Sequence, residues 1–337
     1  MSMRTPTAPS PTTTMTDGAA TTPFSGESLF NPHGMKTRIA SLILTLLFLA
    51  APVEAWYPMQ IEQSYLPEGN PAPVIGFDQP YMIRPNDTLV ELAYHAGVGY
   101  EPLAYANPEI DPWQPPKGKN ILIPYTAILP LRAEPGIIIN IPEYRLYYLW
   151  RETKGIRVRI YPIGIGQEGW DTPLGRFSIV SKVRDPIWRV PESIQKERPD
   201  QPIMVPPGPD NPLGGYWLGL SIRGYGIHGT HRPLGVGRRV SHGCIRLYPM
   251  DIEDLFARVE VKTPGILIYQ PAKVGIRDGK LWAEIHRDKR EQPANVVNEI
   301  IRMKGELEWR GKIDWARVWL EMENRSGVPF VISTPPS

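Results

Sequence analysis

"VSHGCIRLYP", residues 240–249, and "GIHGT", residues 226–230, decide how this chain is read. The first holds Cys244, the one cysteine among 337 residues, with His242 two positions before it and Arg246 two positions after. Cysteine attacks as thiolate, and an unperturbed thiol has a pKa of about 8.5, so a reacting cysteine needs a base or a positive charge beside it. Three histidines are in reach along the chain: His228, His231 and His242. Glycines flank both motifs, and a strand running into a loop would bring their side chains to one sheet edge. Gly243 lets a substrate come close to the backbone. Two other readings stand beside the nucleophile. Cys244 could be a buried structural thiol, as free cysteines often are. His228, His231, His242 and Cys244 could also ligate zinc, although the paired spacings usual for such sites are missing.

Outward from these motifs the chain reads as strands. "GIIINIPEYRLYYLW", "IRVRIYPIGIG" and "GRFSIVSKV" are rich in β-branched and aromatic residues and are separated by turn signals. "GGYWLGLSIRGYGIHGT" reads as a strand pair, "PGILIYQ" as a short buried strand, and "MDIEDLFARV" as a helix directly after the cysteine motif. A mainly β domain over residues 136–270 accounts for them. "GIGQEG", residues 164–169, fits the glycine pattern of a dinucleotide fingerprint, but that pattern must open a helix. Here "WDTPLGRFSIV" comes next, with Pro173 and Gly175 and then a strand, so the glycines form a hairpin beside a cleft. Residues 271–337, with "KLWAEIH", an amphipathic stretch over residues 294–322 and "VPFVIS", read as a helical appendage without assigned chemistry.

Upstream lies a compact stretch, residues 80–125. A short strand begins at Tyr81, Thr88 and Glu91 have capping-box spacing, and Leu89, Leu92 and Ala93 give a helical face. A second short helix stops at Asn107-Pro108, and "ILIP" closes with a strand. This βααβ order, with "NDTL", "ANP" and "ILIP", resembles a LysM domain, the small module that binds N-acetylglucosamine-containing glycans. A Pro-rich linker, residues 56–79, precedes it.

Residues 1–34 are rich in Ser, Thr and Pro without apolar period, which reads as a disordered or wrongly assigned upstream extension. Residues 35–55 then read as a secretory signal peptide: Lys36 and Arg38, an apolar run too short to span a bilayer, and "VEA" before Trp56. Met35 fits as the start. No cysteine follows the apolar run, so a lipid anchor is not expected. Export sharpens the meaning of Cys244, because structural cysteines outside the cytoplasm normally come in pairs. A hydrophobic share of 42% with 21% charged residues suits a globular protein. A net charge of +2 without a basic run excludes a nucleic-acid binder.

"GIHGT" followed by "VSHGCIRL" resembles the signature of the L,D-transpeptidase catalytic domain, the YkuD domain. The likeness extends through "INIPEYRLYYLW", "YPIGIG", "DTPLGRF", "PPGPDNPLGGYWLGL" and "MDIEDLF", across residues 136–270. With the signal and the LysM-like lobe, the chain is similar to the ErfK/YbiS group of periplasmic enzymes. The resemblance implies a YkuD-type β-sandwich with one or two helices. It also implies a cysteine acyltransferase acting on peptidoglycan in cell-wall organisation. By position, Cys244 matches the nucleophile and His228 the general base, in a thiolate–imidazolium pair. The Gly229 carbonyl matches the group that orients His228, and the amides of Gly243 and Cys244 match the oxyanion hole. Ser241, His242 and Arg246 match substrate-binding positions, with Arg246 as a clamp on a carboxylate. His231 matches no motif position and is expected at the surface.

The reaction implied by the resemblance forms a thioester on Cys244, releases D-Ala from a tetrapeptide stem and transfers the acyl group to an amine. The acceptor decides the product: a diamino acid gives a 3–3 cross-link, a lipoprotein lysine an anchored protein, and water an L,D-carboxypeptidase. Acylation of Cys244 by carbapenems is implied as well. No cofactor or metal is called for; the partners are stem peptides and glycan strands. The rivals are a non-catalytic wall-binding protein and a papain-like endopeptidase, whose order is Cys before His. A contact between His228 and Cys244 is expected in the folded chain.

Overall fold

A computed structural model describes residue 66, residues 69–287 and residues 295–334. The extension over residues 1–34, the segment read as a signal over residues 35–55 and half of the linker, residues 56–65 and 67–68, lie outside the described residues. No helix among the described residues is long and apolar enough to cross a membrane.

Eight strands form the central sheet, in the order Ile245–Arg246, Gly226–His228, Tyr216–Leu220, Gly175–Arg184, Pro264–Ile268, Gly136–Asn140, Arg145–Glu152 and Gly155–Pro162. Two neighbouring pairs are parallel, Gly226–His228 with Ile245–Arg246 and Gly136–Asn140 with Pro264–Ile268; the others are antiparallel. The strand Gly175–Arg184 belongs to both halves. Its first residues pair with Pro264–Ile268 and its later ones with Tyr216–Leu220. A register shift at Gly219/Leu220 falls where one half gives way to the other. The sheet therefore curls, and the two halves share one core: Ile137, Leu146 and Tyr161 from one, Leu218, Ile227 and Ile245 from the other.

The helix Pro249–Arg258 closes this core with Ile252 and Leu255. Its start is set by proline in the first turn, where a missing N–H costs nothing. A short helix, Glu192–Glu197, and the strand pair Trp188–Arg189 and Met204–Val205 form a small lobe between the long strand and Tyr216–Leu220.

The strand Gly136–Asn140 is buried at every position. Ile137 and Ile139 face the shared core, while Ile138 faces a second cluster with Tyr147, Leu149 and Val158. Burial on both faces explains why "GIIIN" is continuously apolar up to its last residue rather than alternating.

Residues 79–123 run strand, helix, helix, strand: Gln79–Met82, α1 (Leu89–Ala96), α2 (Tyr100–Ala106) and Asn120–Ile123. The two strands pair antiparallel. Thr88 caps α1, accepting from the Glu91 amide at 3.3 Å and donating to its carboxylate at 2.8 Å. Asn107 ends α2 and ties it to the last strand, donating to the Leu103 and Leu122 carbonyls and accepting from the Leu122 amide.

Residues 272–334 depart from a purely helical appendage. Ala272–Arg277, Lys280–Ile285 and Phe330–Val331 form a three-stranded antiparallel sheet backed by two helices, Val296–Glu306 and Trp315–Asn324. Asp278 and Gly279, both at positive φ, make the two-residue hairpin turn. This segment is not loosely attached. Lys273, fully buried, lies 2.8 Å from Glu143 and 3.0 Å from Glu284; Arg145 reaches Glu284 at 2.5 Å and His286 at 2.9 Å completes the set. The two lysine and arginine charges balance the two carboxylates. Glu143, Glu284 and His286 also lie close enough to suggest a metal, but the cations already occupy that role.

Candidate active site

The parallel pairing of Gly226–His228 with Ile245–Arg246 sets the register of the candidate site. Ile227 lies opposite Ile245 and both enter the core; His228 lies opposite Arg246. Side chains alternate along a strand. Cys244, two residues before Arg246, therefore emerges on the same face as His228, away from the core. The Leu247 amide donates to the His228 carbonyl at 2.9 Å and extends this alignment.

His228 is 3% exposed. Its Nδ1 lies 2.6 Å from the Gly229 carbonyl. A carbonyl only accepts, so Nδ1 carries the proton and Nε2 keeps a lone pair. The Trp217 ring stacks on the imidazole at 5.8 Å, inclined by 22°. That ring fits because Gly226 has no Cβ: one added there would sit 2.3 Å from the indole. Burial, and secondarily the Arg246 charge, hold the imidazolium pKa down to about 3.

Cys244 is half-buried, and its Sγ lies 3.8 Å from the Gly224 carbonyl. Burial pushes the thiol pKa up, while the Gly226 amide and Arg246 pull it down by less. Both shifts favour the neutral thiol and neutral imidazole over the thiolate–imidazolium pair expected from the resemblance. Among the described residues no hydrogen bond joins Sγ to His228; the two share a face, not a preformed bond.

Ser241 builds the turn before Cys244. Its Oγ donates to the Cys244 carbonyl at 2.6 Å and accepts from the Gly243 amide at 3.1 Å. Gly243 sits at φ +98°, where a Cβ would be strained and would meet Tyr225 at 2.6 Å. Thr172 fixes the same turn from outside, donating to the Gly243 carbonyl at 2.9 Å and accepting from the Gly166 amide at 3.0 Å. Sequence reasoning missed Thr172 as a site residue. It lies in "DTPLGRF", a stretch that carried the family likeness without an assigned role, and its hydrogen bond spans 71 positions of chain.

His242 points elsewhere. Its Nε2 lies 3.1 Å from Glu197 on the small lobe, and its ring meets Trp170 edge-on at 4.9 Å. Among the described residues no hydrogen bond joins it to the sulfur. Arg246 has its backbone fastened to Gly164 in both directions, at 2.8 and 2.9 Å. Its side chain is different: Nε is buried without a partner, and no carboxylate among the described residues pairs with it. Burial, with Arg232 nearby, lowers its pKa. His231, expected at the surface, is half-buried with Nδ1 unpartnered; burial and the charges of Arg232 and Arg246 lower its pKa. His228, His231, His242 and Cys244 thus do not converge as zinc ligands. His242 turns to Glu197, and the metal-capable grouping among the described residues lies at Glu143, Glu284 and His286 instead.

The site can therefore offer a nucleophilic sulfur, a base with a free lone pair and an unneutralised guanidinium on one face. The sequence profile of the YkuD family, the L,D-transpeptidase catalytic domain, matches residues 134–267, which include all three. The chain is 36% identical over 297 residues to a probable L,D-transpeptidase, ErfK/SrfK, of Salmonella typhimurium, covering 82% of this chain and 93% of that one. It is 33% identical over 316 residues to the probable L,D-transpeptidase YbiS of Escherichia coli, covering 88% and 97%. The solution structure of the catalytic domain of an Enterococcus faecium L,D-transpeptidase is 24% identical, covering 40% of this chain and 97% of that one with a TM-score of 0.31. Full-length similarity of this kind, together with the matched domain, places the chain in the L,D-transpeptidase family.

Proposed function

We propose that this protein is a peptidoglycan L,D-transpeptidase that works by two acyl transfers through Cys244. The observation that carries this reading is the parallel register of His228 against Arg246, which sets thiol, imidazole and guanidinium on one face. In the first step Sγ attacks the carbonyl of the diamino acid at the third stem position. The thiol proton passes to Nε2 of His228, the C–S bond forms, and the amide C–N bond to D-Ala breaks as that amine takes the proton. In the second step an acceptor amine attacks the thioester. It gives a proton to His228, and the sulfur leaves and is reprotonated. The proton moves only as substrate arrives, because burial keeps both groups neutral at rest.

The amides of Gly243 and Cys244 hold the oxyanion in this reading. Gly243 must then exchange its 3.1 Å bond to Ser241 for one to substrate. Arg246 takes a substrate carboxylate, which would satisfy its buried Nε. The strand–helix–helix–strand unit serves as a LysM-like glycan binder, and the protein works outside the inner membrane, exported by the segment at residues 35–55. Water in place of the amine makes the same site an L,D-carboxypeptidase.

Purified sacculi incubated with the mature protein and with Cys244→Ser, followed by mass spectrometry of muropeptides, test this. The wild type should release D-Ala and give 3–3 cross-linked or trimmed stems, and Cys244→Ser neither. Identical products from the two proteins would end the reading.

A further inference from the structure

We infer that the N-terminal unit braces the catalytic loop, and that Tyr100, Arg238 and Tyr248 are positioning residues for Cys244. The inference rests on Cys244 as the reacting group. It adds a mechanical role to the glycan-binding role proposed for that unit.

The start of α2 lacks a side-chain cap. Its first amides are orphan donors that need acceptors. They find them in the catalytic domain: the Tyr100 amide donates to Val236 at 3.3 Å and the Glu101 amide to Gly237 at 3.1 Å. The two backbones touch. A Cβ on Gly237 would lie 2.2 Å from the Tyr100 nitrogen, and one on Gly99 would lie 2.9 Å from the Gly237 Cα. The Arg238 guanidinium stacks 3.8 Å over the Tyr100 ring, a close cation–π contact.

From there the path to the sulfur is short. The Gly237 amide donates to Ile163 and the Arg238 carbonyl accepts from Ile165, both at 3.0 Å. The strand Arg239–Ser241 then pairs with Ile165–Gly166 and ends at Ser241, whose hydroxyl holds both Gly243 and Cys244. On the far side of the cysteine, the Tyr248 hydroxyl, fully buried, donates to the Val98 carbonyl at 2.9 Å, and its ring meets Tyr94 edge-on at 5.2 Å. Residues 98–101 therefore grip residues 236–238 before the nucleophile and Tyr248 after it. Both ends of the loop are anchored on the same helix junction, so a shift of that junction moves the loop.

The test uses the full-length mature protein with Arg238→Ala and with Arg238→Ala combined with Tyr248→Phe. Two readouts are needed: the rate of Cys244 acylation by a carbapenem, followed by intact mass, and amide hydrogen exchange of residues 239–247. Slowing of acylation by about tenfold or more, faster exchange in that segment and a thermal midpoint near wild type are expected. Arg238→Lys, which keeps a cation over Tyr100, should restore most of the rate. Arg238→Ala alone lies at a half-buried position and keeps the test informative if the double variant misfolds. Wild-type exchange over residues 239–247 in Arg238→Ala, or an acylation rate equal to wild type, overturns the brace. If the wild type itself resists acylation, the transpeptidase reading fails, and the exchange measurement still decides the brace.

Discussion

His228 and Cys244 start neutral, and that state has consequences for pH. The imidazole is not protonated above about pH 3, so it cannot impose an acid limb near the ordinary histidine value of about 6.5. The thiol is raised, so direct ionisation comes only at alkaline pH. Alkylation of Cys244 by iodoacetamide should therefore keep climbing above pH 9; a plateau reached below pH 7 would reveal a standing thiolate. The same burial links to stability. In the unfolded chain His228 protonates near pH 6.5, but in the fold only near pH 3. Stability is then lost as pH falls through that window, and His228→Gln should flatten the loss in urea titrations. In the proposed mechanism His228 is the base, and it should then matter by about 10²–10⁴-fold in kcat, which His228→Ala and single-turnover kinetics would read. Arg246 differs from both. In the proposed mechanism it binds and does not move a proton, so Arg246→Ala should raise KM for stem peptides with little change in kcat. The loss of a charge-assisted hydrogen bond, about 1.5–3 kcal/mol, sets the size at roughly 10- to 150-fold in kcat/KM.

At the scale of elements, the cysteine loop is shaped by what is missing as much as by what is present. Gly226 leaves room for Trp217 to lie on His228, and Gly243 adopts a φ that side-chain-bearing residues avoid. Gly226→Ala should force the indole off the imidazole. Overpacking of this kind costs about 1–3 kcal/mol, measurable by urea unfolding, and carbapenem acylation should slow with it. The motifs "GIHGT" and "SHGC" showed both glycines beside the reacting residues. They did not show which neighbour each glycine admits, because Trp217 and Tyr225 reach them through strand pairing. Helix α1 was legible through Thr88 and Glu91, whose side chains bond locally. The hairpin at Asp278–Gly279 carried an equally local signal that the helical reading of the C-terminal segment passed over.

For the whole molecule, the buried network of Glu143, Arg145, Lys273, Glu284 and His286 joins the C-terminal sheet to the catalytic one. Lys273→Met would leave two buried carboxylates with one cation fewer. Breaking such a pair costs about 3–5 kcal/mol, so a large drop in the denaturation midpoint is expected, and a variant as stable as wild type would show that this ion pair does not hold the segment in place. Because Arg145 and Tyr147 also belong to the central sheet, this segment should not unfold separately from it; thermal unfolding followed by near- and far-ultraviolet circular dichroism should give a single transition.

The sequence by itself determined the mainly β character and the family, because these rest on local patterns: residue alternation, turn glycines and two short motifs. Through the family resemblance it also pointed to Cys244 and, ahead of the adjacent His242, to His228 as the expected base. Only the tertiary structure decided what surrounds that pair. The stacking of Trp217, the anchoring by Thr172, the unpartnered guanidinium of Arg246 and the burial of His231 all depend on residues far apart in the chain meeting through strand register. The charge state of the pair belongs there too, since desolvation is a property of the packed interior and cannot be read along a strand.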